Sequence, residues 1–224
     1  MKEVLFCSYR DWADQIIQDL KKDFSSQVNL TTCNKNEDFL KNIEYKEFDL
    51  IFFLGWSDII ESEIVNSNFC ICLHPSLLPK YRGGSPIQNQ IINGETTSGI
   101  TLFKMDKNID TGPIIYQEEF NIEDIDLEEV FQLIVDKGIN GCSFILKNLI
   151  EDKPIPLTAQ NDKDSSYYKR RSEKMSEIKI EDFNNLTSKE IHNKIRCLQD
   201  PYPNAFIKCK DGSILYIKKS HYSL

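Results

Sequence analysis

This sequence is short of positive charge. Lysine and arginine total 27 of 224 residues against 35 aspartates and glutamates, which gives a formal net charge of -8. A broad grip on nucleic acid needs a basic face, so nucleic acid is not an expected partner. A local basic pocket for one phosphorylated small molecule stays open. Metal-ligand spacing is missing too. The seven cysteines stand at 7, 33, 70, 72, 142, 197 and 209, and no CxxC pair has a matching second pair. That argues against a zinc ribbon and a disulfide framework, and fits reduced thiols in the cytoplasm. No metal is expected. The opening apolar run, inside Met1–Ser8, is too short for a signal peptide or a membrane span, so no membrane partner is expected. No Gly-x-Gly-x-x-Gly follows the first strand-like run, which argues against a dinucleotide cofactor. Histidine is scarce: His74 is the only one before residue 192.

Hydrophobic residues make up 40% of the chain and aromatics 11%, enough for a sizeable core. Val4–Ser8 opens into Trp12, Ile16, Ile17 and Leu20, a strand followed by a helical spacing. Val28–Cys33 alternates. Phe48–Leu54 and Phe69–Leu73 are apolar runs of the kind buried parallel strands show. Ile100–Phe103 and Ile114–Tyr116 are strand-like, and Leu127–Leu149 reads as a long helix that Gly138 and Gly141 weaken. The alternation predicts an α/β fold, a Rossmann-like mostly parallel sheet with helices on both faces. Lys153-Pro154-Ile155-Pro156 reads as a linker. Beyond it, Thr187–Cys197 has a capping-box start with Glu190, and Asp211-Gly212 between Ala205–Lys208 and Ile214–Lys218 signals a hairpin. The chain is therefore divided into a catalytic domain, residues 1–160, and a small helix-plus-hairpin appendage, residues 161–224, expected to serve as a dimer contact.

In an open parallel sheet ligands bind beyond the carboxyl ends of the strands. The stretch after Phe69–Leu73 reads His74-Pro75-Ser76-Leu77-Leu78-Pro79-Lys80-Tyr81-Arg82-Gly83-Gly84-Ser85-Pro86. Its prolines stiffen it, its glycines let backbone approach a ligand, and Pro86 suits the first position of a helix. Downstream, Asp110 precedes Thr111-Gly112; it is either a turn residue or an aspartate that orients a histidine.

Those residues resemble a known family. His-Pro-Ser-Leu-Leu-Pro-x-x-x-Gly followed by Asp-x-Gly-x-Ile, with Ile91-x-Asn93-Gly94 and Gly99-Ile100-Thr101 between, is similar to the formyltransferases that use N10-formyltetrahydrofolate. Methionyl-tRNA formyltransferase and the nucleotide-sugar N-formyltransferases are members. The resemblance implies transfer of a formyl group from the folate to a primary amine, with His74 as general base or oxyanion donor and Asp110 setting its tautomer and orientation. The family has an asparagine two residues before the histidine, and here that position holds Cys72, a weak S–H donor. Loss of one oxyanion donor costs about a hundred- to a thousandfold in rate. Three readings stay open: a Gly83-Gly84 backbone N–H or a water takes over, the protein is slow or inactive, or Cys72 and His74, on one face of a strand, form a nucleophilic dyad.

The resemblance also places the folate between Leu54-Gly55-Trp56-Ser57-Asp58 and the segment from Met105 and Asp106 to Asp110; Trp56 is either pocket wall or core. Pro201-Tyr202-Pro203-Asn204-Ala205-Phe206 and Arg10-Asp11-Trp12 resemble the sugar enzymes more than the longer, basic-tailed tRNA enzymes. That implies a nucleotide-linked amino sugar, destined for a surface polysaccharide, as acceptor, with Arg10, Lys80, Tyr81 and Gly84 near it, and a homodimer. The Arg82–Pro86 loop and the tail speak against glycinamide ribonucleotide formyltransferase and formyltetrahydrofolate hydrolase. The alternatives are formyl transfer to another small amine or to water, or an impaired folate- or sugar-binding protein.

Overall fold

The apolar runs are strands because each is covered on both faces. In β1 (Lys2–Cys7), Val4 and Phe6 face one hydrophobic cluster while Leu5 and Cys7 face another. The same split divides Leu50, Phe52 and Leu54 from Ile51 and Phe53 in β3 (Leu50–Leu54), and Ile71 and Leu73 from Cys70 in β4 (Cys70–His74). Two-sided burial removes the alternating polar positions an exposed sheet would show.

The computed structural model describes residues 1–223. Its main sheet has six strands in the order β2-β1-β3-β4-β6-β7, where β2 is Val28–Cys33, β6 is Thr97–Lys104 and β7 is Ile114–Asn121. The first four are parallel, and β6 and β7 run antiparallel. The expected mostly parallel sheet is thus present. One face carries α1 (Asp11–Phe24) and α5 (Leu127–Ile150). The other carries α2 (Asn36–Tyr45) and α3 (Ser62–Ser67), which contribute Phe39 and Val65 and which their polar composition conceals in the sequence. Helix α5 runs unbroken through both glycines. A Cβ at Gly138 would stand 2.5 Å from Ile16 Cδ1 of α1, and one at Gly141 2.6 Å from Leu102 Cδ1 of β6. At both glycines α5 packs directly against its neighbours with no room for a side chain, so packing overrides their low helix propensity.

Between β4 and β6 the loop forms a two-residue strand, β5 (Arg82–Gly83), and then α4 (Pro86–Ile92), with Pro86 at the first helical position as expected. Strand β5 pairs in parallel with β8 (Tyr167–Tyr168). Further bonds run from Tyr81 N to Ser166 Oγ (2.9 Å), from Gly84 N to Tyr168 O (2.7 Å) and from Arg171 N to Ser85 Oγ (3.0 Å). A division at residue 160 therefore cuts across the structure: residues 160–171 are bonded into the 81–85 loop. Beyond them lie α6 (Asp182–Asn185), α7 (Ser188–Arg196) with the Thr187–Glu190 capping box, and the hairpin of β9 (Ala205–Lys208) and β10 (Ile214–Ile217). Arg196, buried, ties this part back by donating to the carbonyls of Ile122 and Ile125. Among the described residues no helix is long and apolar enough to cross a membrane.

Candidate active site

A cleft of about 2440 Å³ opens beyond the carboxyl ends of β1, β3 and β4. It is lined by Tyr9 to Trp12 after β1, Trp56 to Ile60 after β3, and His74 and Pro75 at the end of β4. Asp110 reaches it by another route. Because β6 is antiparallel, its end at Lys104 lies opposite Ile71, near the start of β4. Residues 105–110 must run back along about 10 Å of strand to bring Asp110 beside His74.

His74 is 6% exposed. Its Nε2 lies 2.8 Å from the Tyr81 carbonyl. A carbonyl oxygen only accepts, so Nε2 carries the hydrogen and donates it. The free nitrogen is Nδ1, which faces Asp110 Oδ2 at 3.5 Å, longer than a formed hydrogen bond. The expectation that Asp110 sets the tautomer is corrected here: the Tyr81 carbonyl sets it, and Asp110 stands on the side of the basic nitrogen. Asp110 Oδ2 in turn accepts the Gly83 N–H at 2.7 Å. Asp110 has φ of 57°, left-handed backbone that aspartate tolerates better than most residues.

The dyad reading of Cys72 and the glycine N–H half of the first reading lose support. Both N–H groups of the glycine pair are engaged, that of Gly83 with Asp110 and that of Gly84 with the Tyr168 carbonyl, so neither is free for an oxyanion. A Cys72–His74 dyad is also unsupported. Cys72 Sγ makes only a weak contact, 3.7 Å, to the Leu73 carbonyl and forms no hydrogen bond with His74. Burial, then the charge of Asp110, pushes the Cys72 thiol far above its usual pKa, the opposite of what a nucleophile needs.

The apolar side of the cleft contains Phe53, Trp56, Ile60, Cys72, Phe103 and Met105. Trp56 is both wall and core: it packs on Phe53 and Phe39, while its Nε1 is buried without a partner. Ser57, Asp58 and Asp106 also line the cleft. Asp106 accepts from the Thr111 hydroxyl at 2.7 Å and the Asn108 N–H at 2.9 Å, bracing the loop that carries Asp110. Leu54 and Gly55 do not line it. Leu54 is core, and Gly55, at φ +63°, lies under Arg10 and Trp12. The apolar walls and the orphaned indole N–H suit a flat heteroaromatic ring system with an acceptor at its edge, as pterin has.

The lining of the cleft also carries cations, interspersed with acidic residues such as Asp11, Asp162, Glu173 and Asp200. Arg10 and Gly84 line the cleft as expected, but Lys80 is exposed and outside it. Tyr81 is turned away, its ring stacked on Tyr168 at 4.8 Å and its hydroxyl donating to Glu95 at 2.7 Å; it serves His74 through its carbonyl alone. Instead of Lys80 the cleft holds Lys169, Arg170 and Arg171, with Gln88 and Tyr202. The Gln88 Oε1 and Arg171 Nε atoms are buried without partners. Burial raises the Tyr202 hydroxyl pKa, and neighbouring Arg10 and Arg170 pull it back. The sequence reading missed Lys169, Arg170 and Arg171 because 161–175 shows only a polar run; strand β8, Tyr167–Tyr168, delivers them.

Comparison with known proteins adds a family. The family model described as formyl transferase matches residues 14–140, more than half of the chain. A methionyl-tRNA formyltransferase of Syntrophomonas wolfei is 30% identical over 193 residues, 85% of this chain and 60% of that protein. The chain thus spans about three fifths of that relative's length. A solved methionyl-tRNA formyltransferase from Clostridium thermocellum superposes with a TM-score of 0.80 at 26% identity, covering 97% of each chain. A sugar N-formyltransferase from Shewanella has the same fold, with a TM-score of 0.74 at 24% identity over 100% of this chain and 99% of that one.

Proposed function

Because the chain belongs to the formyl transferase family, we propose that it moves a formyl group from N10-formyltetrahydrofolate to the primary amine of a nucleotide-linked amino sugar. The observation that carries the acceptor is the division of the cleft. Its volume, about 2440 Å³, exceeds the roughly 300–1,000 Å³ of a single small-molecule pocket, which leaves room for two substrates side by side. The apolar wall suits the pterin of the donor. The wall with Arg10, Arg170 and Arg171 suits a diphosphate, on a chain whose net charge of -8 disfavours a polyanion at large.

His74 and Asp110 line the same cleft. As the amine attacks the formyl carbon, His74 Nδ1 accepts the proton that leaves the nitrogen and the Asp110 carboxylate beside it stabilises the imidazolium; the C–N10 bond then breaks as that proton passes to N10, releasing tetrahydrofolate and the formylated amine. Such proton transfer is worth about 10²- to 10⁴-fold. Cys72 leaves the developing oxygen charge with a weak donor, so we expect modest turnover that an asparagine at this position improves. The exposed Ile214, Leu215 and Tyr216 of the hairpin support a homodimer, and seven free cysteines support a reducing, cytoplasmic setting.

A second reading is favoured by the names of the relatives: formylation of methionyl-tRNA. A release assay for tetrahydrofolate separates the two. Turnover that depends on an added dTDP- or UDP-amino sugar upholds the proposal. Turnover with methionyl-tRNA and none with amino sugars overturns the acceptor and keeps the reaction. Binding without turnover for either, unrescued by Cys72→Asn, leaves a binding protein.

A further inference from the structure

The Asp110 turn is held by a residue that plays no part in the chemistry above. Gln160 donates from Nε2 to two backbone carbonyls of that turn, Asp110 O at 2.9 Å and Gly112 O at 2.7 Å. Its Oε1 accepts from the Arg82 guanidinium, from Nε at 3.1 Å and from Nη2 at 2.7 Å. The amide orientation is forced. Arginine only donates and carbonyls only accept, so a flipped amide would oppose like groups at both ends.

Arg82 is itself fixed. It is 1% exposed, and its other bonds go to Tyr167 Oη at 2.7 Å and Asp162 Oδ1 at 2.9 Å. Its neighbours in sequence, Tyr81 and Gly83, supply the carbonyl that holds His74 and the N–H that holds the Asp110 carboxylate. The contacts close a ring: Asp110 backbone, Gln160 amide, Arg82 guanidinium, Arg82 backbone, Gly83 N–H, Asp110 carboxylate. Left-handed backbone at a non-glycine residue persists only where its surroundings over-determine it. At Asp110 Gln160 supplies that constraint from the backbone side.

We propose that Gln160 is a positioning residue: it holds the Asp110 turn so that the carboxylate stays on the Nδ1 side of His74. The inference rests on the reading of His74 and Asp110 as the reacting pair. Its test is steady-state kinetics of Gln160→Leu and Gln160→Glu in the full chain, each alone and combined with Asp110→Asn. The glutamate keeps the size and the acceptor toward Arg82 but, ionised, sets an oxygen against the Asp110 and Gly112 carbonyls. Both single variants should lose about ten- to a hundredfold in kcat, the scale of a small misplacement at a reacting centre, with acceptor KM and melting temperature little changed. Combined with Asp110→Asn, neither should lose more than Asp110→Asn alone, because Gln160 acts through that carboxylate. Losses that multiply in the double variants overturn the proposal, as does full kcat in Gln160→Glu while Asp110→Asn is inactive. If Gln160→Leu fails to fold, Gln160→Glu decides, and failure of both to fold assigns the residue to the scaffold instead. Full activity in Asp110→Asn would fail the underlying reading rather than this one.

Discussion

The two walls of the cleft are built differently. The apolar wall comes from a short span of sequence, Phe53 to Met105, and it continues the core: Phe53 belongs to a buried cluster against which Trp56, Cys72 and Met105 pack. The other wall draws on the whole chain, from Arg10 through Gln88 to Arg170, Arg171 and Tyr202. It hangs on a few loop hydrogen bonds, such as that from Arg171 N to Ser85 Oγ. Core-backed surface is preformed and stiff, whereas loop-built surface is held at lower local stability. On the proposed reading the donor side is therefore the stiffer part of this site, and acceptor choice lies with the other wall. Orphaned polar atoms stand in both parts, Trp56 Nε1 in one and Gln88 Oε1 and Arg171 Nε in the other, and buried polar groups without partners cost free energy that a ligand can recover.

The largest test removes what both walls serve. His74→Asn or Asp110→Asn should lower kcat by about 10²- to 10⁴-fold with nucleotide binding unchanged by calorimetry. Full activity in either would discard the mechanism. Next comes the oxyanion. Cys72→Asn should raise kcat by about tenfold or more, part of the hundred- to thousandfold a lost donor costs; unchanged kcat would locate the donor in a water or another residue.

Gly84→Ala separates the walls. Its Cβ would stand 2.4 Å from Arg170 N and 2.5 Å from Arg170 Cα, a backbone clash that must displace Arg170 and Arg171. Acceptor KM should rise about tenfold, equivalent to some 1.4 kcal/mol of binding, with donor KM unchanged. Equal effects on both would show that the walls are not independent. The smallest effect is on the other side. Trp56→Phe keeps an aromatic wall and deletes the orphaned N–H, so donor KM should rise only by the worth of one hydrogen bond, about 0.5–1.5 kcal/mol. No change in donor KM would mean that the indole N–H meets no ligand.

Legibility followed the same division. The strands were readable because two-sided burial demands continuous apolar residues, and Thr187–Glu190 marked the start of α7 by cap chemistry that is local in sequence. Helices α2 and α3 were not readable, since few of their positions are buried. His74 and Asp110 were readable as a motif at strand ends. The exchange of Lys80 for Arg170 and Arg171 was not, because it depends on a two-residue strand pairing across 85 positions. Lys80 and Arg170 look alike as letters in polar stretches; only one lies beyond a bridge that brings it to the cleft.

The sequence alone determined the α/β class and the buried strands, which rest on short-range periodicity and residue type, and, through its resemblance to a family, a histidine and an aspartate in a formyltransferase-like pattern. The tertiary structure decided which nitrogen of His74 is basic, that the glycine N–H groups are already engaged, and which cations face the cleft. Those outcomes are set by hydrogen-bond partners far apart in the chain, and direction and partner are properties of position in space.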